Sequence, residues 1–175
     1  MTAVYRMSAL SQMTITLPDE SATVAAANGL ARGIALAGRL GELPVTIYLR
    51  GDLGAGKTTL VRGVLMALGY EGRVKSPTYA LVEVYRVSSL NLYHFDFYRL
   101  RDPNEWHEAG FRDSLTATAI SLIEWPEKAS GARVPLSPPD LEIQLTSCQS
   151  SETSRSMCLT AHSTLGQKLL KAILS

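Results

Sequence analysis

Apolar residues along the chain switch between two spacings, and the switches mark out its elements. Residues 19–40 are alanine-rich, with Val24, Leu30, Ile34 and Ala37 at helical spacing and Asp19 or Ser21 available as an N-cap. Gly38 and Gly41 end that helix. Residues 45–49, Val-Thr-Ile-Tyr-Leu, are β-branched and nearly all apolar, as in a strand covered on both faces. A glycine-rich segment follows at once, and 59–68 then continues as a helix stopped by Gly69. Segments 80–87 and 90–98 read as strands separated only by Ser88-Ser89, a connection that permits antiparallel pairing and is too short for a parallel crossover. A short helix over 103–109 ends at Gly110. Residues 119–123, Ala-Ile-Ser-Leu-Ile, form another buried strand with Glu124 at its C-terminal end. Gly131, Pro135, Pro138 and Pro139 make 130–139 a loop. Residues 141–145 and 157–160 read as a hairpin around a serine-rich turn. The chain closes with a helix over 164–174, with Leu165, Leu169 and Ile173 on one side and Lys168 and Lys171 on the other.

Composition narrows this picture. The 175 residues suit one domain, at roughly 100–200 residues each, placed at 14–175 behind a loose N-terminal extension, 1–13. Seventeen basic against sixteen acidic residues leave a net charge of +1, and no basic stripe stands out, so contact with nucleic acid is expected through partners. No apolar run approaches the ~18 residues of a membrane span, and the first residues lack a signal-peptide layout. Cys148 and Cys158 match no metal or CxxC spacing. Two free thiols and a cytoplasmic location are the expectation.

The glycine-rich segment carries the chemistry. Gly51-Asp-Leu-Gly-Ala-Gly56-Lys57-Thr58 matches G-x-x-x-x-G-K-[ST] in full, between a buried strand and a helix. Glycines let the backbone wrap a β-phosphate with its N–H groups inward, and the helix start adds its positive end. Lys57 reaches the β- and γ-phosphates, and the Thr58 hydroxyl is a ligand for Mg²⁺. The nucleotide-binding set is therefore Asp52, Gly54, Ala55, Gly56, Lys57, Thr58 and Thr59, with ATP or ADP and Mg²⁺ as ligands. The expected fold is α/β, a P-loop NTPase-like three-layer α/β/α arrangement whose mixed sheet has a parallel core around the loop and added antiparallel hairpins. Such a site also needs a strand-end carboxylate for the metal. Glu124 fits, while Asp96 is either a second site carboxylate or a structural partner for Arg99 or a helix N-cap. Thr78, in Lys75-Ser-Pro-Thr78, stands where some P-loop hydrolases sense the γ-phosphate, or is a plain turn residue. Strand alternation places Trp125 on the side opposite Glu124. No [NT]-K-x-D gives guanine specificity, and Arg62, Arg99, Arg101 and Arg112 are all available for charge stabilisation.

Four linked motifs resemble the TsaE (formerly YjeE) family: 48–59 with the phosphate loop, Val74-Lys-Ser-Pro-Thr-Tyr79, His94-Phe-Asp-Phe-Tyr-Arg-Leu100 and Ile120-Ser-Leu-Ile-Glu-Trp-Pro-Glu127. Their order and spacing agree over about 17–145. The resemblance implies a small cytoplasmic bacterial ATPase needed to make N6-threonylcarbamoyladenosine in tRNAs that read ANN codons. It implies action with the TsaD–TsaB complex, reset by ATP hydrolysis. It also implies that Asp96, Glu124 and Thr78 are the catalytic positions, that Thr58 and Glu124 hold the metal and that Trp125 lies beside the site. Tyr79 stands where the family usually has Phe, and the stretch after Thr146 matches poorly. Two other readings share the motif: a small-molecule or nucleotide kinase, for which Arg99-Leu-Arg101 is short as a lid, and a nucleotide-gated binding module.

Overall fold

The computed structural model describes residues 9–111, 118–148 and 153–175. Seven strands form one mixed sheet: β1 Ser11–Leu17, β2 Val45–Arg50, β3 Val82–Val87, β4 Leu90–Asp96, β5 Ile120–Glu124, β6 Leu141–Ser147 and β7 Arg155–Ala161. Their order is β1-β7-β6-β2-β5-β4-β3. β2 runs parallel to both β5 and β6, and β4 runs parallel to β5. The β3–β4 and β6–β7 hairpins and the edge strand β1 pair antiparallel. The helices among the described residues are α1 Glu20–Arg39, α2 Lys57–Ala67, α3 Glu105–Glu108 and α4 Thr164–Leu174.

Residue pattern explains which strands are covered twice. β2 is buried at five of its six positions and β5 at all five, because neither alternates polar with apolar. Their Ile47, Leu49, Ile120 and Leu122 face the main core under α1, α2 and α4. Tyr48 and Ile123 point the other way, into a smaller core with Phe95, Phe97 and Trp106. That second face is closed by α3, by a 3₁₀ turn at Pro126–Ala129 and by Ala132, Val134 and Leu136 of the following loop. β6 and β7 alternate strictly and bury only their helix-facing side. The three layers are thus present, the second outer one built from short pieces.

The sequence reading leaves out edge strand β1. Ser11–Met13 belong to strand β1, paired with Leu159–Ala161 of β7, so the loose extension gives way to the sheet by Ser11. Met13, Ile15 and Leu17 carry the period-two signal, but the strand sits on the edge and buries only Leu17 fully. Residues 1–8 lie outside the described residues. Cys148 and Cys158 are free and partly buried.

Helices α1 and α4 approach so closely that Gly29 has no room for a side chain. An added Cβ would lie 2.5 Å from the Ala172 carbonyl oxygen and 2.7 Å from Ile173 Cα. At Gly33 the nearest atoms are the tip of Leu169, at 3.0 Å, and Ala172 Cβ. Replacing glycine by alanine in a helix gains about 1 kcal/mol of propensity, whereas overpacking against backbone costs roughly 3 kcal/mol. Gly29→Ala should therefore destabilise by about 2 kcal/mol net in urea unfolding, and Gly33→Ala by clearly less. Equal stability of the two variants would contradict this packing.

Candidate functional site

The chain leaves β2 through a turn that only glycine allows. Gly51 has φ +132, and a Cβ there would lie 2.2 Å from the Leu145 carbonyl oxygen of neighbouring β6. Gly56, at φ +104, caps α2 without a side-chain hydrogen bond. The other long helices are capped otherwise: Asp19 accepts from Ala22 N at 2.9 Å, and Ser163 Oγ from Gly166 N at 3.0 Å. The first-turn amides of α2 thus have no side-chain acceptor among the described residues, and the positive end of its dipole faces the loop. Lys57 folds back over that loop. Its Nζ donates to Gly51 O at 2.6 Å and Asp52 O at 2.9 Å, and lies 4.0 Å from the centre of the Trp125 ring. Burial lowers the Lys57 pKa, and the carboxylates of Glu124 and then Asp96 oppose that shift.

Two carboxylates stand beside this loop because parallel strands end together. Asp96 of β4 and Glu124 of β5 are register partners, and alternation with Leu92 and with Ile120 and Leu122 turns both toward α2. Both are nearly inaccessible, at 4% and 2% exposure. Glu124 Oε1 accepts from Thr58 Oγ1 at 2.8 Å and pairs with His94 Nε2 at 2.8 Å. Asp96 Oδ2 accepts from Ser76 Oγ and, at 2.9 Å, from Thr78 Oγ1, while Oδ1 accepts from Tyr98 N at 3.0 Å. A cleft of about 490 Å³ lies over these groups, walled by Leu53, Gly54, Gly56 to Thr59, Ser76, Thr78, Tyr98, Arg99 and Trp125. A smaller hollow of about 240 Å³ lies across the loop, between Gly54, Ala55, Gly56 and the start of α1 at Glu20 and Thr23.

The structure therefore gathers Gly54, Gly56, Lys57, Thr58, Thr59, Thr78, Asp96 and Glu124 around one cleft. Asp52 takes part through its backbone carbonyl, and Ala55 is buried behind the loop. Asp96 neither pairs with Arg99 nor caps a helix; it ties down the segment that carries Thr78. Trp125 corrects the alternation argument. β5 ends at Glu124, and Trp125 takes φ +58, which swings its ring back over Lys57 and against Tyr98, 5.1 Å between ring centres. Of Arg62, Arg99 and Arg101, Arg99 lines the cleft, stacked on the ring of Tyr79 at 4.4 Å. Arg112 lies outside the described residues. Sequence reasoning gave no role to His94, Ser76 or Tyr98, although each lies within a quoted motif.

A divalent cation can be tested against this donor set. Among the described residues no three His, Cys, Asp or Glu side chains converge as a metal cage. Mg²⁺ characteristically takes one or two protein oxygens and completes its shell with phosphate oxygens and water. The Thr58 hydroxyl and the Glu124 carboxylate, 2.8 Å apart, fit that mode. An uncapped helix start, a lysine, a hydroxyl and two carboxylates suit a polyphosphate carrying such an ion.

The glycine turn between a buried strand and a helix, with carboxylates ending the neighbouring parallel strands, defines a P-loop-type α/β protein. The fold is similar to that of the crystal structure of Bacillus subtilus YdiB, with a TM-score of 0.69 and 23% identity over 94% of this chain and 95% of that one. The family profile described as Threonylcarbamoyl adenosine biosynthesis protein TsaE matches residues 17–157, and the chain belongs to the TsaE family. The match begins at residue 17 and runs past 145. The tRNA threonylcarbamoyladenosine biosynthesis protein TsaE of Haemophilus influenzae is 44% identical over 75% of this chain and 79% of its own length. The protein of that name from a Synechocystis species is 38% identical over 67% of this chain and 73% of its own. No helix among the described residues is long and apolar enough to cross a membrane.

The Lys57–Trp125 contact gives a ligand-free test. With Trp106, the other tryptophan, changed to Phe, Lys57→Ala should shift Trp125 emission, because a cation 4.0 Å from the ring is lost. Superimposable spectra would show that the two side chains do not meet in solution.

Proposed function

We propose that this chain binds Mg²⁺-ATP in the cleft and hydrolyses it, as the ATPase component of tRNA N6-threonylcarbamoyladenosine formation. The observation that carries the reading is the Thr58–Glu124 hydrogen bond, which joins the phosphate loop to a strand-end carboxylate. The polyphosphate replaces the loop's own carbonyls as the partner of Lys57, with its γ end toward Thr78, Asp96 and Glu124. The nucleoside end then falls on the far side of the loop, in the hollow beside Glu20 and Thr23. Mg²⁺ held by Thr58 and Glu124 would neutralise charge on the phosphates. Glu124 would orient water beside that ion, Asp96 holds the segment that carries Thr78, and Trp125 covers the site from the 3₁₀ side.

Membership of the family and the names of the curated relatives support a role in threonylcarbamoyladenosine biosynthesis. In this reading the partner is the TsaD–TsaB heterodimer, tRNA is met through that complex, and the protein works in the cytoplasm. A net charge of +1 suits an indirect encounter with RNA.

The test is ADP release by the chain alone and with TsaD–TsaB, alongside phosphorylation of candidate acceptors. Slow release alone, accelerated by the complex, is expected, since an arginine or ordered loop supplied in trans can be worth roughly 10³–10⁵. Phosphate transfer to a small acceptor would favour a kinase instead. Lys57→Ala should weaken ATP binding roughly 10–100-fold, the loss of about 1.5–3 kcal/mol of charge-assisted hydrogen bonding. Glu124→Gln should bind ATP but lose turnover. Wild-type affinity in the first variant, or wild-type turnover in the second, would remove the assignment.

A further inference from the structure

We propose that His94 is a positioning residue for hydrolysis, holding the Glu124 carboxylate in the orientation that Thr58 and a hydrated Mg²⁺ both require; this rests on the ATPase reading above. His94 is fully buried, at 0% exposure, and does not line the cleft. It sits on β4 one step behind Asp96 on the same face, opposite Leu122 of β5, and reaches diagonally to Glu124 Oε1 at 2.8 Å. Its other ring nitrogen, Nδ1, is buried with no hydrogen-bond partner among the described residues.

An imidazole at this place is costly as mere filling. A buried polar group left unpaired is destabilising, and a leucine on the same strand face would pack without that penalty. Glu124 accepts and cannot donate when ionised, so the ring hydrogen belongs on Nε2 and Nδ1 is left as an unused acceptor. With hydrogen bonds from both Thr58 and His94, Oε1 is occupied. Oε2 has no hydrogen-bond partner among the described residues and is the oxygen free for a metal's water. Removing the His94 donor releases the carboxylate to turn about its last torsion, which is broad for a glutamate. The carboxylate then no longer has a fixed orientation toward the Thr58 hydroxyl. Partners one step behind a metal site typically change metal affinity or activity by about 10–100-fold.

Glutamine and asparagine at this position distinguish positioning from packing. The glutamine amide nitrogen reaches the place of Nε2, whereas asparagine is one methylene short. Wild type, His94→Gln, His94→Asn and His94→Leu are compared by calorimetric ATP affinity across a Mg²⁺ titration, by turnover with TsaD–TsaB and by thermal midpoint. The Asn and Leu variants should bind metal-free ATP like wild type. They should need roughly 10–100-fold more Mg²⁺ for the metal-dependent gain in affinity and lose kcat with little change in KM. The Gln variant should recover most of both. If the Leu variant fails to fold, the Gln and Asn pair decides. An unchanged Mg²⁺ requirement in the Asn variant, or equal impairment of Gln and Asn tracking their loss of thermal midpoint, overturns the proposal. Failure of the wild type itself to bind ATP would instead overturn the ATPase reading, a result visible before any variant is made.

Discussion

Glu124 is a carboxylate taken almost wholly out of water at the end of a strand buried on both faces. Such a group is tolerated only with strong hydrogen-bond partners. It finds them in Thr58 from the first turn of α2 and His94 from the adjacent strand β4. Satisfying one carboxylate therefore fixes three elements relative to each other. It brings the glycine-rich loop against the strand ends. The neighbouring carboxylate, Asp96, does the same for the segment at 76–78, accepting from Ser76 and Thr78.

Topology explains why these groups meet at one edge. β2, β4 and β5 are mutually parallel, so their C-terminal ends lie together, and in an open α/β sheet the crevice outside those ends is where ligands bind. The β6–β7 hairpin serves another end. β6 and β7 widen the helix-facing core, and Gly51 can exist beside β6 only because it lacks a side chain. The 3₁₀ turn after Glu124 swings Trp125 over Lys57, closing the cleft with an aromatic ring.

Much of this is legible in the sequence because it is local. The phosphate loop, its flanking strand and helix, and the apolar run ending in Glu124 are contiguous patterns whose chemistry depends on neighbours in the chain. The start of α1 follows from Asp19, and the extents of α1 and α4 follow from their apolar spacing. What was hidden depends on contacts across the fold. Asp96 meets Ser76 and Thr78 from a different segment, so its role could not be separated from an N-cap or a partner for Arg99. His94 reads as one polar residue in an apolar strand until β4 and β5 are in register. Trp125 was misplaced because alternation holds only while the strand lasts, and a positive φ at that residue ends it. Edge strand β1 buries too little to distinguish its alternation from a polar leader.

In the proposed function, one cleft holds the polyphosphate between Lys57 and the two strand-end carboxylates, with the metal at Thr58 and Glu124. A crystal structure with Mg²⁺ and a non-hydrolysable ATP analogue tests it most directly. The expected result has Lys57 Nζ moved from the Gly51 and Asp52 carbonyls onto the β- and γ-phosphates, the ion on Thr58 Oγ1, and Glu124 in contact with the ion or its water. An analogue bound elsewhere, or Lys57 still closed on its own loop with phosphates present, would contradict it.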